Sequence, residues 1–115
     1  MAKTTLYGIK NCDTVKKARK WLDNAGVSYT FHDFRDDGIE RAQVSRWVEA
    51  LGWETVVNKR STTWKQLDPA ERDSMDETRA IDTILAQPTL IKRPLLDIDG
   101  RYSVGFKEAE FKKQF

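Results

Sequence analysis

Residues 4 to 33 read as strand, helix and strand, and that succession constrains the fold of this chain more than any other feature. Thr4 to Ile9 (TTLYGI) is a short strand-forming run, stopped by the turn-prone pair Lys10-Asn11. Val15, Ala18, Trp21, Leu22 and Ala25 then recur at i, i+3, i+6, i+7 and i+10, one apolar helical face. Lys16, Lys17, Arg19, Lys20 and Asp23 cover the opposite side, and Gly26 stands where a helix ends. In the next stretch, VSYTFHD, Val27, Tyr29 and Phe31 alternate onto one face of a second strand. Two strands joined by a crossover helix with short connections lie parallel, so the chain opens with a βαβ unit.

From Gly38 to about Gln87 the pattern turns helical. Val44, Trp47, Val48 and Leu51 make an i, i+3, i+4, i+7 face closed by Gly52. NKRSTTWKQL is a polar connector with room for a short helix. Asp68-Pro69 predicts a helix start, and Ser74 to Glu77 reads as a capping box before a helix that buries Ile81, Ile84 and Leu85. The last third returns to strands, Pro94 to Ile98 and Arg101 to Val104. They flank Asp99-Gly100, a strong hairpin signal. Lys107 to Phe115 predicts a terminal helix with Phe111 and Phe115 at i, i+4. At 115 residues, with no repeat or linker, one α/β domain spanning 1–115 is expected.

Function is bounded first by what is scarce. The chain has one cysteine and one histidine. A single cysteine excludes an internal disulfide and suits a reducing compartment, so the cytoplasm is expected. No run approaches the roughly 20 apolar residues that span a bilayer. A net charge of +2 gives no reason to expect nucleic-acid binding, and the basic helix face lacks interleaved aromatics. Acidic residues are scattered without metal-ligand spacing, and no metal site is expected.

Cys12 is the residue with chemistry. It sits between a strand and a helix, where unpaired backbone N–H groups and the helix dipole favour an anion. Lys10, Lys16 and Lys17 add positive charge nearby, whereas Asp13 opposes it. Two readings stay open on these residues: a small buried hydrophobe, or a nucleophile. With Val15 three places on there is no C-x-x-C, so a disulfide formed at Cys12 is resolved by an external thiol. His32, on the second strand, reads as an ordinary strand-end histidine. Arg60 and Arg93 fall outside the regular elements. They are either solvated surface or a bidentate site for an oxyanion or carboxylate. Pro94 is an edge device or a cis-proline.

Three blocks occur in order with compatible spacing: LYGIKNCDTVKKARKWL, NKRSTTWKQL and IKRPLLDIDGRYSVGFKEAEF. Together they resemble the family of glutaredoxin-coupled arsenate reductases (ArsC) and Spx-type regulators, in particular its small YffB-like branch, over residues 4 to 113. The resemblance implies a thioredoxin-like fold, a βαβ…ββα mixed sheet, with a helical insertion at about 38–87. It implies that Cys12 is the reactive cysteine and that Pro94 is cis and lies beside it. Arg60 and Arg93 match two arginines that hold the oxyanion in the arsenate reductases. The third falls near VGFK, where Lys107 is the nearest cation, and Asp13-Thr14 stands where those enzymes read Gly-Thr. The function so implied is a monothiol, glutathione-dependent thiol–disulfide reductase. Cys12 is its nucleophile, with Lys10, Asn11, Arg60, Arg93, Pro94 and Lys107 around glutathione or substrate. Glutathione is a co-substrate rather than a bound cofactor, glutaredoxin a possible partner, the substrate a small-molecule or protein disulfide, and the protein itself a monomer. The alternatives are an arsenate reductase that uses glutathione and glutaredoxin, or a non-enzymatic, Spx-like regulator that binds RNA polymerase.

Overall fold

The structure, a computed structural model, describes residues 3–115. They group into two compact units: the residues up to Gly38 with Arg93–Phe115, and Ile39–Lys92.

The first unit contains strands β1 (Thr4–Gly8), β2 (Thr30–Asp33), β3 (Leu95–Ile98) and β4 (Arg101–Val104), with helices α1 (Asp13–Asn24) and α7 (Glu108–Gln114). The strand order is β2-β1-β3-β4. β1 runs parallel to β2, as the crossover helix requires, and antiparallel to β3; β3 and β4 form a hairpin. This is the thioredoxin-like arrangement. Leu6 faces Leu96 across β1 and β3, and both are fully buried. With Ala18 and Leu22 of α1, Ile98 and Phe111 of α7, they form one core, against which Val27, Tyr29, Phe31 and Phe106 pack. Trp21 and Phe106 both meet the Phe111 ring edge-on, at centroid distances of 5.5 and 4.8 Å.

Two glycines set the geometry of this unit. A Cβ on Gly8 would stand 2.7 Å from Val15 Cγ2, so only glycine lets α1 ride this close on the β1 backbone. Asp99 and Gly100 both have positive φ (52° and 86°), the two-residue turn whose twist matches its flanking strands. Asp97 Oδ1 accepts the Gly100 N–H at 2.8 Å and so braces that turn from within.

Differences from the sequence expectation have local causes. Ladder pairing in β2 starts at Thr30 rather than Val27, where β1 offers Thr5 as partner; Val27 and Tyr29 are half-buried against the core outside the ladder. Pro94 precedes β3 instead of opening it. Phe115 is 41% exposed, touching the Trp21 and Phe111 rings only from the helix end.

The second unit holds α2 (Arg41–Leu51), α3 (Trp53–Val56), α4 (Thr62–Gln66), α5 (Pro69–Asp73) and α6 (Glu77–Ala86). Val44, Trp47 and Val48 of α2 are buried, as are Ala80, Ile81 and Ile84 of α6. Leu85 is half-buried. The unit extends past residue 87. Pro88–Leu90 makes a single 3-10 turn, Ile91 bridges Val57, and the Lys92 N–H reaches the Val56 carbonyl at 2.8 Å. The α6 cap is Asp76, whose carboxylate accepts the Arg79 N–H, rather than Ser74. The Ser74 hydroxyl is turned back to donate to the Ala70 carbonyl at 2.8 Å, closing α5 instead.

Candidate functional site

Cys12 is the residue before α1, in extended conformation (φ −87°, ψ 123°), so the helix begins on the peptide that follows it. Its N–H donates to the Ile9 carbonyl at 3.1 Å, and its carbonyl accepts the Lys16 N–H at 2.9 Å. The thiol is free and half-buried. Its side chain makes no capping hydrogen bond to the first turn. The sulfur is thus anchored at a helix N-terminus through its backbone, in a setting that suits an anion.

Sheet register determines which other residues share this end. β1 leaves the sheet here, after Gly8, and its partner β3 enters here, since Tyr7 pairs with Leu95. β4 leaves here too, because Val104 pairs with Leu95, and so does β2, because Gly8 pairs with Asp33. Cys12, Arg93, Pro94 and Lys107 are therefore brought to one end of the first unit from three separate stretches of sequence. The Arg93–Pro94 peptide is cis, and Pro94 is buried. Arg93 is half-buried, Asn11 is exposed in the turn before Cys12, and Lys107 is the exposed residue before α7.

Two expectations change in detail. The Lys10 ammonium, expected to support the thiolate, pairs instead with Asp36 at 2.6 Å. Hydrogen bonding and charge from Asp36 hold it above the ordinary lysine value. Pro94 lacks an N–H, and its carbonyl accepts the Gly105 N–H at 2.8 Å, so of the two readings, edge device and cis-proline, it is the cis-proline, with its backbone extending the hairpin. Gly105 adopts φ 82° to make that bond. Arg60 belongs to the second unit. It is exposed in the turn from Asn58 to Ser61, its N–H donating to Asn58 Oδ1 at 3.0 Å.

The residue that sequence reading passes over is Asp33, the residue after His32. It is 3% exposed at the end of β2. Its carboxylate accepts backbone N–H groups from Arg35 (2.7 Å), Asp36 (3.2 Å) and, across the sheet end, Lys10 (3.1 Å). Burial pushes this carboxyl up, but the three N–H donors outweigh it and leave the group below the ordinary carboxylate value. The available signal was its place at the strand end, followed by Arg35-Asp36-Asp37-Gly38, a composition that makes side-chain-capped turns. His32 packs its ring 4.9 Å from Tyr7 and its Nε2 lies 2.6 Å from the Gly38 carbonyl. Among the described residues no group of three or more His, Cys, Asp and Glu side chains is gathered as a metal site would need, and no helix is long and apolar enough to cross a membrane.

Known proteins share this architecture. A family model described as "ArsC family" matches residues 7–114. A solved structure named YFFB (PA3664) protein is 49% identical with a TM-score of 0.92, covering 96% of this chain and 97% of its own. The solution structure of an arsenate reductase (ArsC) related protein from Brucella melitensis is 42% identical with a TM-score of 0.82, covering 96% of this chain and 92% of its own. A protein of Haemophilus influenzae is 46% identical over 111 residues, 96% of this chain and 97% of that one. A global transcriptional regulator named Spx from Streptococcus mutans is 26% identical over 110 residues, 94% of this chain and 80% of that one.

Proposed function

The chain belongs to the ArsC family, and from that membership we propose that it is a monothiol thiol–disulfide reductase that uses glutathione and works in a reducing cytoplasm. The fold it has in common with the arsenate reductase related protein supports thiol redox chemistry. The observation that carries the reading is Cys12 itself: a free, half-buried thiol at the N-cap of α1, with no cysteine partner in the chain.

The chemistry divides into two exchanges. The Cys12 thiolate attacks the glutathione sulfur of a mixed disulfide between substrate and glutathione. The S–S bond between the substrate sulfur and the glutathione sulfur breaks, the substrate thiolate leaves and takes a proton, and a Cys12–glutathione disulfide forms. A second glutathione thiolate then attacks the glutathione sulfur of that adduct. Cys12 leaves as thiolate and oxidised glutathione departs. Net, the mixed disulfide and one free glutathione become the substrate thiol and oxidised glutathione, with the glutathione thiol's proton passing to the substrate thiolate and no cofactor held between turnovers. Arg93 and Lys107, at the same sheet end as Cys12, supply positive charge for the glutathione carboxylates. Arg60 is an anion-binding candidate on family resemblance alone.

Turnover of a glutathione mixed disulfide, coupled to recycling of oxidised glutathione, tests this directly. Replacing Cys12→Ser leaves the fold intact and reduces the rate to that of glutathione alone. Full turnover by the variant would sink the mechanism. The same assay with arsenate as substrate tests the narrower activity that the Brucella relative's name suggests. Lysine at 107 and Asp13 after the cysteine argue against it, since a point charge does not fork an oxyanion as arginine does.

A second reading has its own support in the likeness to the Spx regulators along nearly the whole chain. In that reading the protein binds RNA polymerase and does not turn over. Stoichiometric retention on purified polymerase, together with no glutathione-dependent rate, would establish it in place of the first.

A further inference from the structure

We propose that Asp33 is a positioning residue for the cysteine site: its buried carboxylate holds the Lys10-Asn11-Cys12 turn and thereby keeps Cys12 at the N-cap of α1. The proposal rests on the reading of Cys12 as a nucleophile. Asp33 touches no reacting atom and acts through the backbone alone.

The argument is one of bonds counted along a short path. Asp33 Oδ2 accepts the Lys10 N–H at 3.1 Å, while Oδ1 accepts those of Arg35 and Asp36. One carboxylate thus ties the loop that leaves β2 to the loop that enters α1. A second bond reinforces the tie, from the Phe34 N–H to the Gly8 carbonyl at 2.9 Å. Outside it, Lys10 Nζ meets Asp36 Oδ2. Only Asn11 separates the amide held by Asp33 from Cys12. The Cys12 N–H is in turn bonded to the Ile9 carbonyl, so the turn is fixed at both ends. A carboxylate with 3% exposure is retained only when its lone pairs are filled, and here backbone donors fill them. Three of the groups it organises, Lys10, Arg35 and Asp36, flank the thiol's end of the sheet rather than the core. That location separates it from a general loop staple, which would lower stability without altering turnover of the folded protein.

Asp33→Asn keeps the size of the side chain and sets an NH2 group against one of the three donors. The folded variant is expected to lose about tenfold or more in kcat, with KM for glutathione changed less than about twofold, because attack geometry rather than binding is lost. Amide exchange at Cys12 is expected to rise by about tenfold while Leu6 and Leu96 keep wild-type rates. Should this variant fail to fold, the single bond is removed by an amide-to-ester replacement at Lys10, made by ligating a synthetic 1–11 segment to 12–115 at Cys12. The ester chain is expected to give the same two changes. Unchanged exchange at Cys12 and unchanged kcat in a folded variant would overturn the proposal, as would a rise in KM alone. If wild-type protein shows no glutathione turnover while exchange still accelerates at Cys12, the glutathione reading fails and the positional role of Asp33 stands.

Discussion

At one end of the sheet the chain reverses within two residues, Asp99 and Gly100, between Ile98 and Arg101. The bonds that hold this turn are short in sequence or run to the adjoining strand: Asp97 to the Gly100 N–H, and Asp99 exchanging two hydrogen bonds with Lys3. At the other end no tight turn joins the strands, and the bonds tie the separate loops that enter and leave the sheet to one another. Asp33 reaches Lys10, Gly105 reaches Pro94, and Phe34 reaches Gly8. At the first end turn chemistry sets the reversal, and the two bonds between Lys3 and Asp99 brace it. The second exists only once the sheet has assembled, and it is the end that carries the thiol. A tight local turn makes a stable corner, whereas a convergence of distant loops makes a place where side chains from separate stretches meet.

Three substitutions sharpen that contrast. The largest effect belongs to Asp33→Asn. Above about pH 4 it is expected to destabilise the protein by about 3 kcal/mol, since a buried, charge-assisted acceptor for three backbone donors is lost. The dependence on pH carries a definite sign. The native carboxyl lies below its unfolded value, so its contribution is complete above the unfolded value and disappears as pH falls through the native one. The gap between wild type and variant, measured by denaturant titration across pH 2 to 7, therefore narrows on the acid side and stays level above it. Next comes Gly8→Ala, which drives a Cβ to 2.7 Å from Val15 Cγ2. Overpacking there is expected to cost about 2 kcal/mol and to shift α1, so urea midpoint and turnover both fall. The smallest is Gly100→Ala. No atom beyond its chain neighbours lies within 4 Å of the new Cβ, so only the positive φ opposes it, at about 1 kcal/mol, and turnover in the proposed glutathione assay is expected to be unaffected. If Gly100→Ala reduced turnover as strongly as Gly8→Ala, the two ends would not be independent.

The same contrast explains what could be read in advance. Asp99-Gly100 announces its hairpin, and the spacing of Val15, Ala18 and Leu22 announces the buried face of α1, because each follows from a local rule. The pairing of β1 with β3 is not local. The likeness of three sequence blocks to one family supplied the mixed sheet, and register then brought Cys12, Arg93, Pro94 and Lys107 to one end. Asp33 escaped notice because its role depends on an amide 23 residues earlier, which no window of sequence reveals. Ser74 misled for a related reason. A serine two residues before a stronger cap can serve the helix behind it, and the sequence of both options is identical. Lys10 was read as a neighbour of the thiol, when the loop after β2 supplies its actual counter-charge.

The central position of β1 has a consequence for how the molecule is made. Its parallel neighbour, β2, is synthesised soon after it, but its antiparallel neighbour, β3, lies near the far end of the chain. Residues Ile39–Lys92, contiguous in sequence, can complete their own packing while β1 still has one edge unpaired. A nascent chain that stops short of Leu95 therefore carries an open edge beside its only thiol, and such edges recruit other chains. Closing β3 onto β1 joins Thr4 to Ile98 and Tyr7 to Leu95, the kind of long-range pairing that slows folding most. The cysteine end acquires its surroundings only when that pairing forms, so the surroundings of Cys12 depend on closure of the sheet.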